Sequence, residues 1–231
     1  MSDLHLSHRL QAVADFVPNH ARLADIGSDH AYLPIYLAQH HVIDYGVAGE
    51  VVKGPYQSSV AHVHQYGLDE IIKVRLADGL QAIKATDNIN VVTIAGMGGT
   101  LIKNILSAGS NRLTGNERLV LEPNVGGYLV RQWLNEHQYQ ISHEVILTED
   151  KHIYEIIVGD PALVPLHYSQ LDLMFGPQLR HERNVAFVQK WQTELHKQQL
   201  VLTNLQKAQH VNIERLQQVQ HQIELIQEVL Q

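Results

Sequence analysis

The stretch Leu23-Ala24-Asp25-Ile26-Gly27-Ser28-Asp29-His30-Ala31-Tyr32-Leu33-Pro34 decides the fold. An apolar run ends in an acid, turns through a glycine and resumes as a helix, which predicts a strand–loop–helix unit at the edge of a parallel sheet. Gly27 permits a backbone path that a Cβ atom would obstruct, so a bulky ligand can approach the turn. The stretch therefore predicts a site for a nucleotide-type cofactor. The alternative is a simple helix N-cap at Ser28 or Asp29.

The N-terminal part of the chain repeats this unit of one strand followed by one helix. Apolar runs predict strands at 21–26, 44–49, 71–76, 89–95 and 117–121. Helical patterns before, between and after these strands fall at 7–17, 31–40, 54–66, 78–85, 99–107 and 126–138. Such alternation predicts βαβ units and a mostly parallel sheet that is covered by helices on both faces.

Two further strand-like segments close this part of the chain. Ile141–Leu147 and Ile153–Val158 are separated by only five residues, which leaves no room for a crossover helix. The two strands are therefore predicted to be antiparallel neighbours. A parallel α/β sheet with this ending is characteristic of class I S-adenosylmethionine-dependent methyltransferases. We predict a Rossmann-like, seven-stranded sheet whose last strand is antiparallel, and we assign this domain to residues 1–160.

In residues 161–231 the composition shifts toward Gln, Leu, Val and His, and this segment is predicted to form a helical coiled-coil domain. Apolar side chains recur there at coiled-coil spacing, at Val188, Trp191, Leu195, Leu202 and Leu205 and again at Leu216, Val219, Ile223, Ile226 and Leu230. One continuous register would put Gln209 and Asn212 in the seam, so we predict a turn near 208–212 between two antiparallel helices. The alternative is a single helix of about 50 residues, on the order of 75 Å long, which would need a partner chain.

Three acids lie at the carboxyl ends of three successive strands, and their spacing favours S-adenosylmethionine as the cofactor. Asp25 is placed to accept hydrogen bonds from the cofactor's ammonium group. Glu50 follows 25 residues later, about the interval at which an acid reaches ribose hydroxyls. Asp78-Gly79 is the natural partner of the adenine amino group. The plainer interpretations are an exposed charge for Glu50 and a helix cap for Asp78.

The loops after the next two strands are predicted to position the second reactant. Gly96-Met97-Gly98-Gly99 is a glycine-rich loop that lets two ligands approach the backbone. An Asn/Asp-Pro-Pro-aromatic motif is absent there, which argues against methylation of an exocyclic amine. The amide of Asn124 can both donate and accept, which suits a base edge. Its other interpretation is a cap for the helix that begins at Gly126.

Composition excludes several classes of protein. With no cysteine, the chain has no disulfide framework, no thiolate zinc site and no cysteine nucleophile, so ring-carbon methylation through a cysteine adduct is excluded. His62-x-His64 and His40-His41 are interpreted as surface histidines, because their spacing points the rings apart, and no metal is expected. No apolar run would span a bilayer and Met1–His5 does not resemble a signal peptide, so a cytoplasmic location is expected. The net charge of −7 gives no support to a polyanionic substrate.

Five motifs together closely resemble the bacterial tRNA (adenine-22-N1)-methyltransferase family. They are Asp25-Ile-Gly-Ser-Asp-His-Ala-Tyr-Leu-Pro34, Ala48-Gly-Glu50, Ala77-Asp-Gly-Leu80, Ala95-Gly-Met-Gly-Gly99 and Glu122-Pro-Asn124. The resemblance runs from the first helix through the antiparallel strands and extends to a C-terminal coiled-coil hairpin. Many members of the family carry Gln where this chain has Glu122.

The resemblance implies S-adenosylmethionine as methyl donor and N1 of an adenine in the tRNA D-arm as acceptor. It also implies a coiled coil that helps to hold the tRNA. Asp29 is the first candidate to accept from the adenine N6 amine, and Asn124 is a positioning partner. The candidate cofactor-binding residues are Asp25, Gly27, Ser28, His30, Tyr32, Glu50, Asp78, Gly79, Gly96 and Met97. The oligomeric state stays open, with a monomer slightly preferred.

Three other functions remain in competition at this point. A nicotinamide oxidoreductase would need Gly-x-Gly-x-x-Gly where this chain has Asp29 and Tyr32. A small-molecule methyltransferase would leave the coiled coil without a role in substrate binding. A noncatalytic docking protein would be expected to lose some of the acids and glycines that this chain retains.

Overall fold

A computed structural model of the chain describes residues 4–164, 166–207 and 212–231. The strands are β1 Ala21–Ile26, β2 Ile43–Glu50, β3 Ile72–Leu76, β4 Val91–Gly98, β5 Arg118–Val125, β6 Tyr139–Glu149 and β7 His152–Pro161. The helices are α1 His8–Ala14, α2 Tyr32–Gln39, α3 Lys53–Gln65, α4 Gly99–Ala108, α5 Gly127–Glu136, α6 Gln170–Phe175, α7 Leu179–Glu182, α8 Val185–Lys207 and α9 Ile213–Leu230.

The seven strands form one sheet in the order β3-β2-β1-β4-β5-β7-β6. Neighbours from β3 to β5 run parallel, whereas β7 is antiparallel to both β5 and β6. The predicted Rossmann-like class I fold with an antiparallel last strand is therefore confirmed. The carboxyl ends of β1 to β5 meet at one edge of the sheet, which is where ligands bind in this architecture.

The strands read as nearly continuous apolar runs because helices cover both faces of the sheet. Successive side chains point to opposite faces, so Leu23 belongs to one buried cluster and Ala24 to the other. Val91 and Val92 divide in the same way. The core therefore holds the strand ends at fixed positions along the edge.

The C-terminal part forms the predicted hairpin. In a third buried cluster, Phe187 and Trp191 near the start of α8 pack with Leu225, Ile226 and Val229 near the end of α9, so the two helices are antiparallel. The single long helix is thereby ruled out, while residues 208–211 of the predicted turn lie outside the described residues. None of the described helices combines the length and apolar character that crossing a membrane requires.

A buried ionic cluster, which we call the joint, ties the hairpin to the sheet. Arg131 on α5 donates to Glu144 on β6 at 2.6 Å and to Glu155 on β7 at 3.1 Å, and Lys190 on α8 donates to Glu155 at 2.6 Å. Arg131 and Glu144 are fully buried and Glu155 is nearly so. These buried ion pairs favour one arrangement of the hairpin against the sheet. Any arrangement that separates the partners would leave an uncompensated buried charge.

The sequence prediction fails at residues 78–85, where the structure has two short 3₁₀ turns, Gly79–Ala82 and Ala85–Asp87, rather than a helix. Leu80 and Ala82 are buried, and an added Cβ at Gly49 would lie 2.9 Å from the Cβ of Ala82. The segment must lie close against β2, which a tight turn allows and a full helix does not. The short helices α6 and α7 were also not predicted individually.

Candidate active site

One pocket opens at the carboxyl edge of the sheet, with a volume of about 700 Å³. Ligand sites of proteins commonly have volumes in this range. Its walls come from the end of β1 and the turn that follows it, from the last residues of β4 and β5, from β7 and from the N-terminal segment. The lining residues are His5, Leu6, Ser7, Arg9, Leu10, Asp25, Gly27, Ser28, Asp29, Tyr32, Ala95, Gly96, Met97, Asn124 and Tyr154.

Asp25 ends β1 at the floor of this pocket and is almost fully buried. Its two carboxylate oxygens accept hydrogen bonds from the hydroxyl of Ser28 at 2.5 Å and from that of Thr93 on β4 at 2.6 Å. Burial raises the pKa of Asp25, and the two hydroxyls offset only part of that rise. A carboxylate held by neutral donors still has free lone pairs and is stabilised by a cation brought in by a ligand.

Gly27 follows Asp25 with a φ of +69°, a conformation that side chains rarely adopt. Its amide donates to the carbonyl of Gly49 on β2 at 2.9 Å. A Cβ atom at this position would collide with the methyl group of Met97. The glycine therefore serves both the turn and the close approach of Met97 at the end of β4, whereas its predicted contact with a ligand stays a prediction.

The loop continues through left-handed backbone at Asp29, His30 and Ala31, with φ values of 42°, 66° and 59°. Helix α2 begins only at Tyr32, and its N-cap Ala31 has no side-chain cap. The alternative interpretation of Ser28 or Asp29 as a helix N-cap is therefore wrong. Ser28 serves Asp25 instead, and the carboxylate of Asp29 is 82% exposed at the pocket.

The ring of His30 lies beside those of Tyr32 and His62, with centroids 5.4 Å away in each case. His62 Nδ1 also lies 3.1 Å from the His30 carbonyl oxygen. These contacts hold the loop against α3, and only Tyr32 of the three lines the pocket. His64 is exposed beside Asp69, and His40 bonds to the carbonyl of Tyr36.

Glu50, Asp78 and Gly79 lie one and two strands away from Asp25, outside the lining of the pocket. Glu50 ends β2 and is buried, and its Oε1 has no hydrogen-bond partner within the described residues. Burial, together with the charges of Asp25 and Asp29, raises the pKa of Glu50 against the effect of the Asp29 amide. Asp78 precedes a 3₁₀ turn without capping it through its side chain.

The predicted glycine-rich loop is instead the irregular end of β4, which runs to Gly98 with shifts of register at Met97 and leads directly into α4. Gly96 has a φ of +76°, and its amide donates to Oε2 of Glu122 at 2.7 Å. Gly99 packs so closely on the carbonyl of Gly126 that a Cβ atom there would collide with it. Gly99 therefore serves the contact between α4 and α5, whereas Gly96 and Met97 line the pocket. Asn124 lines it too, and the N-cap of α5 is Gly126 with no side-chain cap.

The N-terminal segment is the part of the site that sequence reasoning missed. Glu149 on β6 accepts from the amides of His8 and Arg9 at 2.6 and 3.2 Å, which fixes the start of α1 over the edge of the sheet. Arg9 Nη1 donates to Oε2 of the fully buried Glu122 at 2.5 Å, and its guanidinium lies 5.3 Å from the ring centre of Tyr154. Burial raises the pKa of Glu122 although Arg9 opposes that rise.

The structure thus brings most of the predicted site residues together and leaves a few at its margin. Gathered in one pocket are Asp25, Gly27, Ser28, Asp29, Tyr32, Gly96, Met97 and Asn124. At its margin stand His30, Glu50, Asp78 and Gly79. Arg9 and Tyr154 join the site unpredicted, and Glu122, which belongs to the predicted motif Glu122-Pro-Asn124, binds Arg9. The described residues include no group of three or more histidines or acids placed to bind a metal ion.

These residues fit the binding of S-adenosylmethionine. Gly27 and Ser28 line the pocket at the turn after β1, and buried Glu50 keeps an oxygen free for a hydroxyl donor. Asp25 offers a desolvated carboxylate for the cationic part of the donor. The fold and the pocket therefore define the class of this protein: a class I S-adenosylmethionine-dependent methyltransferase.

Comparison with known proteins identifies the family within that class. A sequence model of the tRNA (adenine(22)-N(1))-methyltransferase family matches residues 23–228. The tRNA (adenine(22)-N(1))-methyltransferase of Bacillus subtilis (strain 168) is 41% identical over 236 residues, which cover 100% of this chain and 99% of the relative. The chain belongs to the tRNA (adenine(22)-N(1))-methyltransferase family.

Two solved structures of similar proteins contain ligands. A putative tRNA methyltransferase of Streptococcus pneumoniae, in complex with S-adenosyl-L-methionine, has a TM-score of 0.89 and 45% identity, covering 98% of this chain and 100% of that one. A protein of M. capricolum, in complex with S-adenosyl-homocysteine, has a TM-score of 0.87 and 28% identity, covering 98% of this chain and 99% of that one.

Proposed function

We propose that this chain transfers a methyl group from S-adenosylmethionine to N1 of the adenine at position 22 in the D-arm of tRNA. Family membership carries the proposal, since the match runs almost the whole length of the chain, from residue 23 to residue 228. The liganded structures of the two similar proteins support the identity of the donor.

The reaction depends on the positioning of donor and acceptor more than on acid–base catalysis. S-adenosylmethionine supplies a methyl group on a cationic sulfur that a nucleophile can displace in line. Adenine N1 has a lone pair and no proton, so no strong base is needed, and holding the two reactants together while excluding water supplies most of the rate. We assign the donor to Asp25 and the loop at Gly27 and Ser28, with Glu50 at the ribose and Asp78 at the adenine.

We propose that Asp29 and Asn124 hold the acceptor base. The carboxylate of Asp29 would accept a hydrogen bond from the N6 amine as positive charge develops on the ring. The amide of Asn124 would donate to or accept from the base edge. Both side chains line the pocket, Asp29 after β1 and Asn124 on β5, and β4 lies between these two strands in the sheet. The target base must leave its stack in the tRNA to reach them.

We propose that the two parts of the chain have different functions. Residues 1–160 would bind the donor and transfer the methyl group, and residues 161–231 would help to hold the tRNA. The joint and the third buried cluster cross this boundary, so we propose two functional parts rather than two independently folding ones. A tRNA substrate also favours a cytoplasmic location. For the oligomeric state, a monomer is preferred, since the hairpin pairs its own two helices.

Methyl transfer from labelled S-adenosylmethionine to unmodified bacterial tRNA tests this function. The methylated base is mapped by arrest of reverse transcription, because a methyl group on N1 blocks base pairing. We expect incorporation of label and a single arrest at position 22 of the tRNA. Donor binding without transfer to any tRNA would contradict the proposal and would favour a methyltransferase that acts on a small molecule.

A further inference from the structure

Three exposed apolar side chains lie beyond the carboxyl ends of β4 and β5, outside the proposed contacts to donor and acceptor. We call them the platform: Leu101, Val125 and Tyr128, which are 51%, 72% and 41% exposed. The first turns of α4 and α5 meet where Gly99 packs on the carbonyl of Gly126, and each member of the platform lies within two residues of that contact. Isolated apolar side chains are ordinary on a protein surface, whereas a group of them beside a ligand site indicates a partner.

The end of β5 joins the platform to the acceptor side of the pocket. Asn124 lines the pocket and has no partner on β4, because the register shifts there. Such irregularities re-aim side chains and are common beside active sites. Val125, the next residue, lies over the start of α4 instead: it pairs with Gly98, and a Cβ atom added to Gly98 would lie 4.0 Å from its Cγ2. The residue proposed to hold the target base and the platform are thus consecutive in sequence.

A nucleic acid that delivers one base to a pocket must give up stacking around that base. Extrusion turns the target nucleotide by about 180° about its backbone and costs the free energy of unstacking. Proteins recover such a cost by stacking bases on aromatic side chains and by inserting apolar side chains into the opened step. The exposed ring of Tyr128 and the exposed branched side chain of Val125 are of these two kinds.

The charge around the platform suits an RNA strand. Neither α4 nor α5 has an acidic residue in its first turn, and neither has a side-chain N-cap. The N-terminal end of a helix carries a partial positive charge, which attracts phosphate rather than repelling it. In the next turn of α4, Lys103 donates to Gln132 of α5 at 3.5 Å. The starts of both helices therefore add no repulsion of RNA, although the chain as a whole has a net charge of −7.

We propose that the platform holds the nucleotide next to the target adenine. Tyr128 is the positioning residue that stacks on its base, and Val125 enters the gap that the extruded adenine leaves. The inference rests on the proposed function, because it requires an adenine in tRNA as the acceptor. A second copy of this chain is the other occupant that exposed apolar side chains would fit, and the place of Val125 directly after Asn124 favours the RNA.

Methyl transfer to an unmodified transcript, with donor affinity measured by calorimetry, tests this role in the full chain. We expect Tyr128→Ala to lower kcat/KM for tRNA by roughly 10- to 100-fold, the value of one stack of a base on an aromatic ring. Donor affinity should stay as in the parent. Tyr128→Phe keeps the ring and should behave like the parent, and Val125→Ala should cause a smaller loss than Tyr128→Ala. Val60→Ala is the matched control, because it truncates a side chain of α3 that is 40% exposed and lies outside the pocket.

Transcripts with an abasic nucleotide on one side or the other of position 22 identify the partner of Tyr128. One of the two should lower transfer by the parent protein about as much as Tyr128→Ala lowers it on the intact transcript. Combining that transcript with Tyr128→Ala should cause little further loss, because both changes remove the same stack. A purely structural role of Tyr128 would instead make the two losses multiply.

Losses that multiply on both abasic transcripts, or parent-like transfer by Tyr128→Ala, would overturn this inference. So would a change of oligomeric state in Tyr128→Ala on gel filtration, which would assign the platform to a second copy of the chain. Parent-like variants of a protein that methylates position 22 contradict this inference alone. Absence of transfer by the parent protein contradicts the proposed function, and this inference with it, so the two failures are distinguishable.

Discussion

Two buried carboxylates in different regions of this molecule, Asp25 at the pocket and Glu155 at the joint, are compensated in opposite ways. At the pocket, Asp25 is held by the neutral hydroxyls of Ser28 and Thr93, and its pKa is raised by burial. At the joint, Glu155 is equally buried but lies between Arg131 and Lys190, whose charges lower its pKa despite that burial. The chain supplies the countercharge for Glu155 and supplies none in contact with Asp25.

This difference separates a binding site from a structural ion pair. Burying an ionised carboxylate without a cation costs free energy, which the folded protein tolerates where function requires it. A carboxylate paired with its own cations instead makes the fold depend on the pair. We expect substitutions at the joint to lower stability and substitutions at the pocket to lower donor affinity.

The largest expected effect is at the joint. Arg131→Met leaves the fully buried Glu144 without its cation and Glu155 with only Lys190. We expect the free energy of unfolding to fall by about 3 to 5 kcal/mol, measured by urea denaturation followed by circular dichroism. Arg112→Met is the matched control at an exposed arginine and should change stability by less than about 0.5 kcal/mol. A parent-like midpoint for Arg131→Met would show that the joint does not stabilise the fold.

Asp25→Asn is expected to have the opposite effect, because it should lower donor affinity and leave the stability of the fold nearly unchanged. It removes a buried charge that burial disfavours while keeping the size of the side chain, so the free energy of unfolding should stay within about 1 kcal/mol of the parent. Donor affinity should fall roughly 10- to 100-fold, because a neutral amide attracts the cationic donor far less than a carboxylate does. Calorimetry and urea denaturation on the same preparation measure both quantities. Parent-like affinity would remove Asp25 from the donor site.

The smallest expected effect is a difference between the pH dependence of donor affinity and the pH dependence of stability. Asp25 has a folded pKa raised above 3.8, so donor affinity should fall as the pH drops through that raised value and level off above it. The stabilisation from Glu155 is complete above its unfolded pKa of 4.5 and is lost only as the pH falls toward its lowered folded pKa. Acidification should therefore weaken donor binding through Asp25 before the stabilisation from Glu155 is lost.

Titrating donor affinity and the unfolding midpoint across the acid range checks this order. In Asp25→Asn the pH dependence of donor affinity should flatten while that of stability stays as in the parent. Loss of donor binding and unfolding at the same pH in the parent protein would contradict the separation of the two regions.

The fold could be predicted where local pattern and long-range packing agree. Strand β1 was expected at 21–26 and is Ala21–Ile26, because an apolar run bounded by a turn is buried on both faces wherever it lies in a parallel sheet. The helix predicted at residues 78–85 is absent because the contacts of Leu80 and Ala82 with distant parts of the sheet decide the local geometry. Helical periodicity alone carries no information about such contacts.

The site could be predicted where a single segment of sequence carries it. Asp25, Gly27 and Ser28 lie in one loop and were found there, although the binding roles assigned to them stay predictions. Arg9 was missed because its partner Glu122 is 113 residues away along the chain. An amphipathic helix indicates that one of its faces is covered, but it does not indicate which surface covers it.

The most direct test of the function compares two tRNA transcripts that differ only at position 22, one with adenine and the other with guanine. Each is incubated with the full chain and labelled S-adenosylmethionine. We predict transfer of label to the adenine transcript alone, with arrest of reverse transcription at position 22. Equal labelling of both transcripts, or labelling of neither by a protein that binds the donor, would contradict the proposed function.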